Sequence, residues 1–550
     1  MNTAQSLKAH RAILASLDAE RNSWFSHWRT ISEYFLPRRY PALVTKREET
    51  QGNRRSTKLL DSTSTKALRT LASGMMNGIT SPARKWLSLR LEGVPNGDIT
   101  HEESVWLADS TRRMEIVFAQ TNFYNSMAIM FLEYAGFGTA SMGMYEDFDD
   151  VVRFYNYPVG EFYLSFDGSG RINRHARRFM KSIESVVAEF GIENCSARVQ
   201  AIYNHPNTAR RMEEIEVQHL VEINHKDNLL ASPSKYREVY FEQGVSDNYL
   251  AVRPLFEWPT ATPRWEVHGN DPYGVSPAMD ALSEVIMLQE QRMEFARGLE
   301  KMVSPPLIVD QSLRGRPTAL GARGITYAPN SSANFGAKTA YTVNIPLQEL
   351  QATINNLQVS IRETLHNPLF NMISQLETVR SATEIDARRE EKLIHLGPVL
   401  ERFYNEGLDP IIKRVFGIML RNGLFMDAPE SLAEKEIGVE YVSILTDAQR
   451  ASGTQVIERF LAFTGNMAGV YPTVKEIPNV DELMRQYAEG IGIKPTGMHS
   501  REEVAEKAAQ EANAQAMAQE AAVGKDLAQG AKVLSETDVG GGMNALQQLI

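Results

Sequence analysis

Two long helices separated by a Gly- and Pro-rich segment restrict the fold of this chain more than any other feature. The first helix is predicted over 277–303, because Ser276 can cap it and Pro277 suits its first position. The second helix is predicted over 346–367, where apolar residues recur every three or four positions. Residues 304–345 between them are rich in Gly, Pro and short β-like runs. The pattern predicts a two-helix stalk with a small module at its tip.

Such a stalk favours an assembly of several copies. The second helix has a narrow apolar seam, as in a helix that packs against neighbouring helices: Leu347, Leu350, Ile354, Leu357, Ile361 and Leu365. A single copy would expose much of both helices, whereas many copies side by side would bury them.

A third long helix, predicted over 382–425, contains prolines where a helix normally excludes them. Gly397 and Pro398 lie in the middle of an apolar-striped stretch, and Pro410 is a second interruption. A proline inside a helix removes a backbone hydrogen bond and clashes with the preceding turn, at a cost of about 3 kcal/mol. We therefore predict a bend at Gly397 and Pro398.

The first half of the chain mixes helix and strand. Residues 5–36 are predicted to be helical with an aromatic core face, and from residue 151 the apolar residues alternate around a turn at 167–170. Capping-box spacing marks four further helix starts: Thr100/Glu103, Ser381/Glu384, Thr446/Gln449 and Ser500/Glu503. The predicted fold class is α+β, mostly helical.

Composition and motifs argue against several classes of function. The chain has 68 acidic and 58 basic residues and a net charge of −10, which disfavours a tight grip on nucleic acid over a broad surface. No apolar run approaches the roughly 18 residues of a membrane span. The one cysteine, Cys195, excludes an internal disulfide framework. Phosphate-binding, zinc-helix and nucleophile-elbow motifs are absent, so no catalytic residue, metal site or cofactor is predicted.

One basic cluster raises a nucleic-acid alternative: Arg171, Arg174, Arg177, Arg178 and Lys181. No aromatic residues are interleaved with it as a base-stacking platform would require. The favoured interpretation is a solvated face, or one that forms salt bridges with another subunit.

Five segments, in order along the chain, resemble the portal family of short-tailed bacteriophages, also called head-to-tail connecting proteins. They are KLLDSTSTKALRTLASGMMNGITSPARKWLSLRL, NFYNSMAIMFLEYAGFGTASM, VGEFYLSFDGSGRI, DPYGVSPAMDALSEVIMLQEQ and ATEIDARREEKLIHLGPVLERFYNEGLDPII. The resemblance extends over about residues 20 to 425 and is less distinct beyond 446.

The resemblance implies a portal-type subunit in a ring, dodecameric in most of the family. Its parts would be a wing (1–275), a first stem helix (276–303), a clip (304–345), a second stem helix (346–367), a channel loop (368–381), a long kinked helix that returns to the wing (382–445), and a crown with a C-terminal helical tail (446–550).

The resemblance also implies a function without enzymatic activity. The ring would occupy one capsid vertex of the virion, conduct double-stranded DNA during packaging and ejection, and nucleate procapsid assembly in the host cytoplasm. Its partners would be the terminase large subunit, capsid and scaffolding proteins, and tail adaptor and nozzle proteins, with no membrane.

Candidate site residues follow from the same division of the chain. Asn371, Gln375 and Arg380 are expected to face DNA in the channel. The clip, with Arg314, Arg316, Arg323 and Lys338, is the expected docking face, although an ordinary exposed loop fits these charges equally well.

Two other classes of protein stay open at this point. Another ring-forming head-tail adaptor, or a helical scaffold protein of the virion, would share the helical character. A packaging nuclease is disfavoured, because neither a phosphate loop nor a metal-binding carboxylate group is present in the sequence.

Overall fold

The protein is described from a computed structural model. The described residues are 3–37, 59–93, 99–224, 233–244, 248–269, 271–304, 307–309, 337–339, 346–374, 397–432, 435, 437–441, 456–467, 471, 477–490, 497–499 and 501–536. They fall into two compact units, the first within 1–87, 113–425 and 441–443, the second within 88–112, 426–440 and 444–550.

Helices form the larger part of the described chain. They are α1 Thr3–Tyr34, α2 Thr63–Ile79, α3 His101–Gln120, α4 Phe123–Phe137, α5 Ile183–Phe190, α6 Ala197–Tyr203, α7 Pro277–Asp280, α8 Leu282–Val303, α9 Leu347–Thr364, α10 Asn367–Ser374, α11 397–403, α12 Asp409–Arg421, α13 456–467, α14 Val480–Gly490 and α15 Arg501–Glu536. None of these described helices is long and apolar enough to cross a membrane.

The strands range from two to eleven residues and pair antiparallel wherever a register is assigned. They are β1 Leu87–Leu91, β2 Ser141–Asp147, β3 Val151–Tyr157, β4 Phe162–Phe166, β5 Ile172–Ser182, β6 Glu214–Ile223, β7 Tyr236–Glu242, β8 Ala251–Leu255, β9 Thr260–Ala261, β10 Leu307–Val309, β11 Ala337–Thr339 and β12 Ile437–Tyr441. The mixed, mostly helical composition that the sequence predicted is confirmed.

The largest sheet of the first unit has the order β4-β5-β6-β7-β8 and is covered on both faces. Because side chains alternate along a strand, each strand contributes to two cores. On one face Leu7 and Leu14 of α1 pack with Leu220 and Val239. On the other face α5 and α6 pack around Val217.

Four of the five residues of the basic cluster, all except Arg171, lie on β5 and form ion pairs within the chain. Arg174 bonds Glu222 at 3.3 Å, Arg177 lies 3.3 Å from Glu161, and Arg178 reaches Asp18 of α1 at 3.2 Å. Arg178 also lies 3.7 Å from Glu216, and Lys181 pairs with Glu189. These four residues are half-buried and form salt bridges, but their described partners are carboxylates of the same unit. The intersubunit part of the interpretation was therefore wrong for these contacts.

The aromatic face of α1 is part of a core, as predicted. Trp28 and Phe35 are fully buried, and Trp28 meets Tyr273 edge-on with ring centroids 4.8 Å apart. Phe131 of α4 is also fully buried beside a second sheet, which has the order β3-β2-β9.

Several predicted helix starts can be checked. At Thr100 the capping box is present, since Glu103 N donates to Thr100 Oγ1 and Thr100 N donates to Glu103 Oε2. Ser276 caps as predicted, accepting from Met279 N at 3.2 Å. The helix that follows is not continuous over 277–303, however: it breaks at Ala281, between α7 and α8. The predicted boxes at Ser381, Thr446 and Ser500 involve residues outside the described ones.

In the second unit β1 pairs with β12.

Glu103 on α3 is fully buried in the same unit. Burial would raise its pKa, but the hydrogen bond from Lys435 Nζ at 2.6 Å helps to lower the pKa to about 2. The last described helix, α15, exposes every side chain that the structure describes on it.

Candidate functional site

The two predicted stalk helices lie side by side and antiparallel. Ser360 Oγ near the end of α9 donates to Glu284 Oε1 near the start of α8 at 2.8 Å. Leu288 of α8 and Ile354 and Ile361 of α9 are fully buried. Beyond the helices, β10 and β11 pair antiparallel, with Ile308 opposite Lys338. The chain thus runs out along α8 and returns along α9; we call this pair the stem hairpin.

The stem hairpin leaves an apolar surface uncovered in a single copy of the chain. The exposed large apolar residues are Met287, Met293, Leu299, Met302 and Val303 on α8 and Val359 on α9. These exposed side chains are available for contact with another chain.

Gln289 joins the stem hairpin to the start of α2. Its Oε1 accepts from the backbone N–H groups of Leu60 and Asp61, at 2.7 and 2.8 Å. Its Nε2 donates to Asp61 O at 3.0 Å. Gln289 is only 5% exposed, so these bonds satisfy a buried amide that would otherwise destabilise the fold.

The Asp61 carboxylate adds a second set of bonds to the same place. One oxygen accepts from Thr63 N, the first backbone N–H of α2, at 2.8 Å. The other accepts from Arg292 Nε of α8 at 2.9 Å and from Gln358 Nε2 of α9 at 2.8 Å. Burial raises the pKa of Asp61, but these hydrogen bonds lower it by more, so the net shift is downward. We call Asp61, Gln289, Arg292 and Gln358 the Asp61 junction.

After the stem hairpin the chain turns sharply and docks on α2. His366 has a φ of +53°, a left-handed conformation that separates α9 from α10. Phe370 of α10 then packs directly over Gly74, where a Cβ would overlap with its Cβ and ring atoms. The Asn367 amide, with its nitrogen toward α2, donates to Ala67 O at 2.8 Å. The sequence predicted a loop from residue 368, and this was wrong up to Ser374, because the apolar face of α10 packs on α2.

The long helix is irregular beside Pro410, the second interruption that the sequence indicated. A π-helical segment, Tyr404–Leu408, joins α11 to α12, and Pro410 is near the start of α12. Because Pro410 has no N–H, the carbonyl of Glu406 lacks its helical partner. Thr262 N, which follows β9, donates to that carbonyl at 3.1 Å. An adjacent strand therefore supplies the bond that the proline removes.

The side chain of Glu406 strengthens this joint. It accepts from the guanidinium of Arg264 at 2.6 and 3.1 Å and from Arg264 N at 3.0 Å. Upstream, Tyr134 of α4 donates to Val399 O at 3.1 Å, and Phe403 stacks on Phe131 with centroids 4.7 Å apart. These contacts fix α11 and the π-helical segment to the first unit.

Comparison of the sequence with known proteins shows which family the chain belongs to. Residues 7–498 match the family model described as "Bacteriophage head to tail connecting protein". The chain belongs to the bacteriophage head-to-tail connecting protein family. The probable portal protein of Bordetella phage BPP-1 is 35% identical over 522 residues, which cover 92% of this chain and 91% of that protein. The portal protein of Salmonella phage epsilon15 is 35% identical over 536 residues, covering 95% and 94%.

Within this head-to-tail connecting protein, few predicted site residues fall on described structure. Asn371 lies on α10 and Lys338 on β11. The other predicted channel residues, Gln375 and Arg380, and the other predicted clip residues, Arg314, Arg316 and Arg323, are outside the described residues.

The predicted bend residues Gly397 and Pro398 begin α11, and most of the helix predicted before them is outside the described residues. The bend at Gly397 and Pro398 stays a prediction.

The sequence reasoning missed the residues that fix the connector's stem. Asp61 lies before two helix-capping residues, Ser62 and Thr63, and that cluster was a readable helix-start signal. Gln289 and Gly74 gave no such signal, because their partners are more than 200 residues away along the chain in both cases.

Proposed function

We propose that the protein is a phage portal: a ring at one capsid vertex through which double-stranded DNA passes during packaging and ejection. The observation that carries this is the 35% identity to two portal proteins along nearly their whole length. A smaller adaptor would not match 91–94% of a portal chain, and a scaffold without a ring would not need the stem hairpin.

The stem hairpin would line or surround the channel. Its exposed apolar residues would be covered by the next copies, since a ring repeats one heterologous contact around its axis. In this proposal β10 and β11 belong to the clip, and α10 leads into the channel loop. The first unit supplies the wing that holds both.

The channel and clip residues keep their proposed roles. Asn371, Gln375 and Arg380 would face DNA, and one arginine per copy contacts phosphate without a tight grip. Arg314, Arg316, Arg323 and Lys338 would form the face that meets terminase and later tail proteins. Gly397 and Pro398 would bend the long helix from the channel toward the wing.

The remaining steps are those of a structural protein, without catalysis. The ring would nucleate the procapsid in the host cytoplasm, together with capsid and scaffolding proteins, and remain in the virion at the unique vertex. It would need no cofactor, because the packaging energy comes from the terminase.

Negative-stain electron microscopy of the purified protein tests the proposal. We expect rings with a stain-filled central hole, whose class averages give the copy number. A protein that stays monomeric at high concentration, at both low and high salt, would contradict it. Addition of the cognate terminase large subunit should then decorate one end of the ring.

A further inference from the structure

The hairpin of β2 and β3 ends in a fully exposed aromatic side chain. Phe148, between the two strands, is 109% exposed, which means that no other part of the described chain covers it. Aromatic side chains are frequent anchors of protein interfaces, so a fully exposed ring at a loop tip is available to a partner.

The tip is held in one shape before any partner arrives. The strands stay paired up to Asp147 opposite Val151. Asp147 Oδ1 accepts from Asp149 N and Asp150 N, at 2.9 and 3.0 Å. Val151 has a φ of +69°, a strained conformation for a β-branched residue. Preorganisation of this kind lowers the entropy lost on docking.

The tip is also strongly acidic. Four of the five residues 146–150 are Glu or Asp, and the fifth is Phe148. Glu146 pairs with Arg421 at 2.9 Å and Asp150 with Arg153 at 3.3 Å, so Asp147 and Asp149 are the carboxylates nearest Phe148 that a partner could meet. Hydrogen bonds from the backbone of Asp150 and Asp149 lower the pKa of Asp147, which keeps its charge. A complementary surface needs an apolar centre surrounded by basic groups.

The same unit of the chain has such a surface on its 3₁₀ segment Thr208–Met212 and the preceding α6. Met212 is 66% exposed. Arg210 bonds Glu213 at 2.7 Å, and Arg198 and His205 also lower the pKa of Glu213, so they lie nearby. Within 198–213 three arginines stand against one acidic residue.

We propose that the Phe148 tip of one copy docks on the Met212 surface of the next copy. Both side chains are exposed in a single chain, so the two surfaces do not cover each other within it. They are different patches, and a contact between different patches closes into a ring when it repeats. This inference rests on the proposed ring and names a contact that would hold its wings together.

Disulfide trapping tests the contact directly. In a Cys195→Ala background, Phe148→Cys combined with Met212→Cys should give a ladder of oligomers on non-reducing gels. The matched control combines Phe148→Cys with Met180→Cys, since Met180 is similarly exposed, at 51%, on β5 of the same unit. Rings that form normally and give no more ladder with the Met212→Cys pair than with the Met180→Cys control would overturn the contact.

A charge swap tests it with the aromatic contact in place. Asp149→Lys and Arg198→Glu should each raise the protein concentration needed for half-maximal ring formation about fivefold, because each places like charges together. The double variant should return within about twofold of the wild type. Single variants without effect, or a double variant that assembles worse than either, would refute the contact. A wild type that forms no rings would instead refute the proposed function.

Discussion

Single residues at the base of the stem hairpin decide where the following segment lies. At position 74 the missing side chain makes room for Phe370, whereas four residues further along the same helix a Cβ on Gly78 would have nothing within 4 Å of it. The two glycines therefore have different roles. Gly74 is required by the packing of Phe370, whereas Gly78 only lowers the helix propensity of α2.

We expect Gly74→Ala to destabilise the protein by about 1–3 kcal/mol, because the added methyl group overpacks the contact with α10. Gly78→Ala on the same helix is the control and should be neutral or stabilising by up to about 1 kcal/mol. Urea unfolding followed by tryptophan fluorescence measures both. Equal stabilisation by the two substitutions would show that α10 does not dock on α2.

A second residue, Glu222, concentrates charge beneath α1. It is 2% exposed, and it contacts His10 at 3.0 Å and Arg237 at 2.6 Å. Burial raises its pKa, but the bonds from His10 and Arg237 outweigh burial and lower the pKa from 4.5 to about 2. These contacts therefore stabilise the folded state only while Glu222 is ionised.

Stability from Glu222 should depend on pH in a defined window. Because the folded pKa is depressed, the contribution is complete above about pH 4.5 and is lost as the pH falls toward 2. We expect Glu222→Gln to cost about 3 kcal/mol at pH 7 and progressively less below pH 4.5. The exposed Glu290→Gln is the control. A difference from wild type that is the same at pH 7 and pH 3 would contradict this assignment.

At the scale of elements, the joint between β9 and the long helix departs from regular helical bonding. The π-helical segment Tyr404–Leu408 and Pro410 both interrupt helical bonding, and residues after β9 compensate through Thr262 and Arg264. Because bonds from Thr262 and Arg264 hold the irregular segment in place, the fold fixes where the helix changes direction between α11 and α12.

Arg264→Met should therefore destabilise the protein by about 2 kcal/mol, because it leaves the Glu406 carboxylate partly buried without its cation. Arg297→Met, which removes an exposed pair with Glu294 on α8, is the matched control and should cost less than about 1 kcal/mol. Thermal unfolding by calorimetry compares the two. Equal losses would mean that the Arg264 pair adds no more than a surface salt bridge.

The elements that the sequence could predict are those with local signals. The caps at Thr100 and Ser276 and the turn at Asp167 depend on neighbours within four residues, and all three are present. The break at Ala281 and the docking of α10 depend on distant packing, so periodicity could not show them. The partners of the β5 arginines were missed for the same reason.

At the scale of the whole molecule, one side of the stem hairpin is bonded to the rest of its unit and the other side is exposed. The Asp61 junction bonds it to the start of α2, whereas Met287, Met293 and Val359 are exposed. In the proposed ring, the inner side would fix each stem to its own copy, and the outer side would contact neighbouring copies. Folding of one copy and assembly of the ring would then depend on different residues.

Leu357→Asp separates these two processes. Leu357 is half-buried on α9, and a charge in a seam shared by copies is costly, so rings should be lost while far-ultraviolet circular dichroism stays unchanged. The exposed Asn355→Asp, on the same helix, adds the same charge and should leave rings intact. Size-exclusion chromatography with light scattering and electron microscopy measure both. Loss of secondary structure would place Leu357 in the core of a single copy.

Helix α2 connects the stem hairpin to α10. The stem hairpin is attached at the start of α2 through Asp61, and α10 is attached thirteen residues further on at Gly74, about 20 Å along the helix axis. A rigid rod with two attachment points transmits displacement from one to the other. In the proposed portal, displacement of the stem hairpin by a docked motor would therefore reach α10 through α2. Helix α2 would then couple the stem hairpin to the segment that leads into the channel loop.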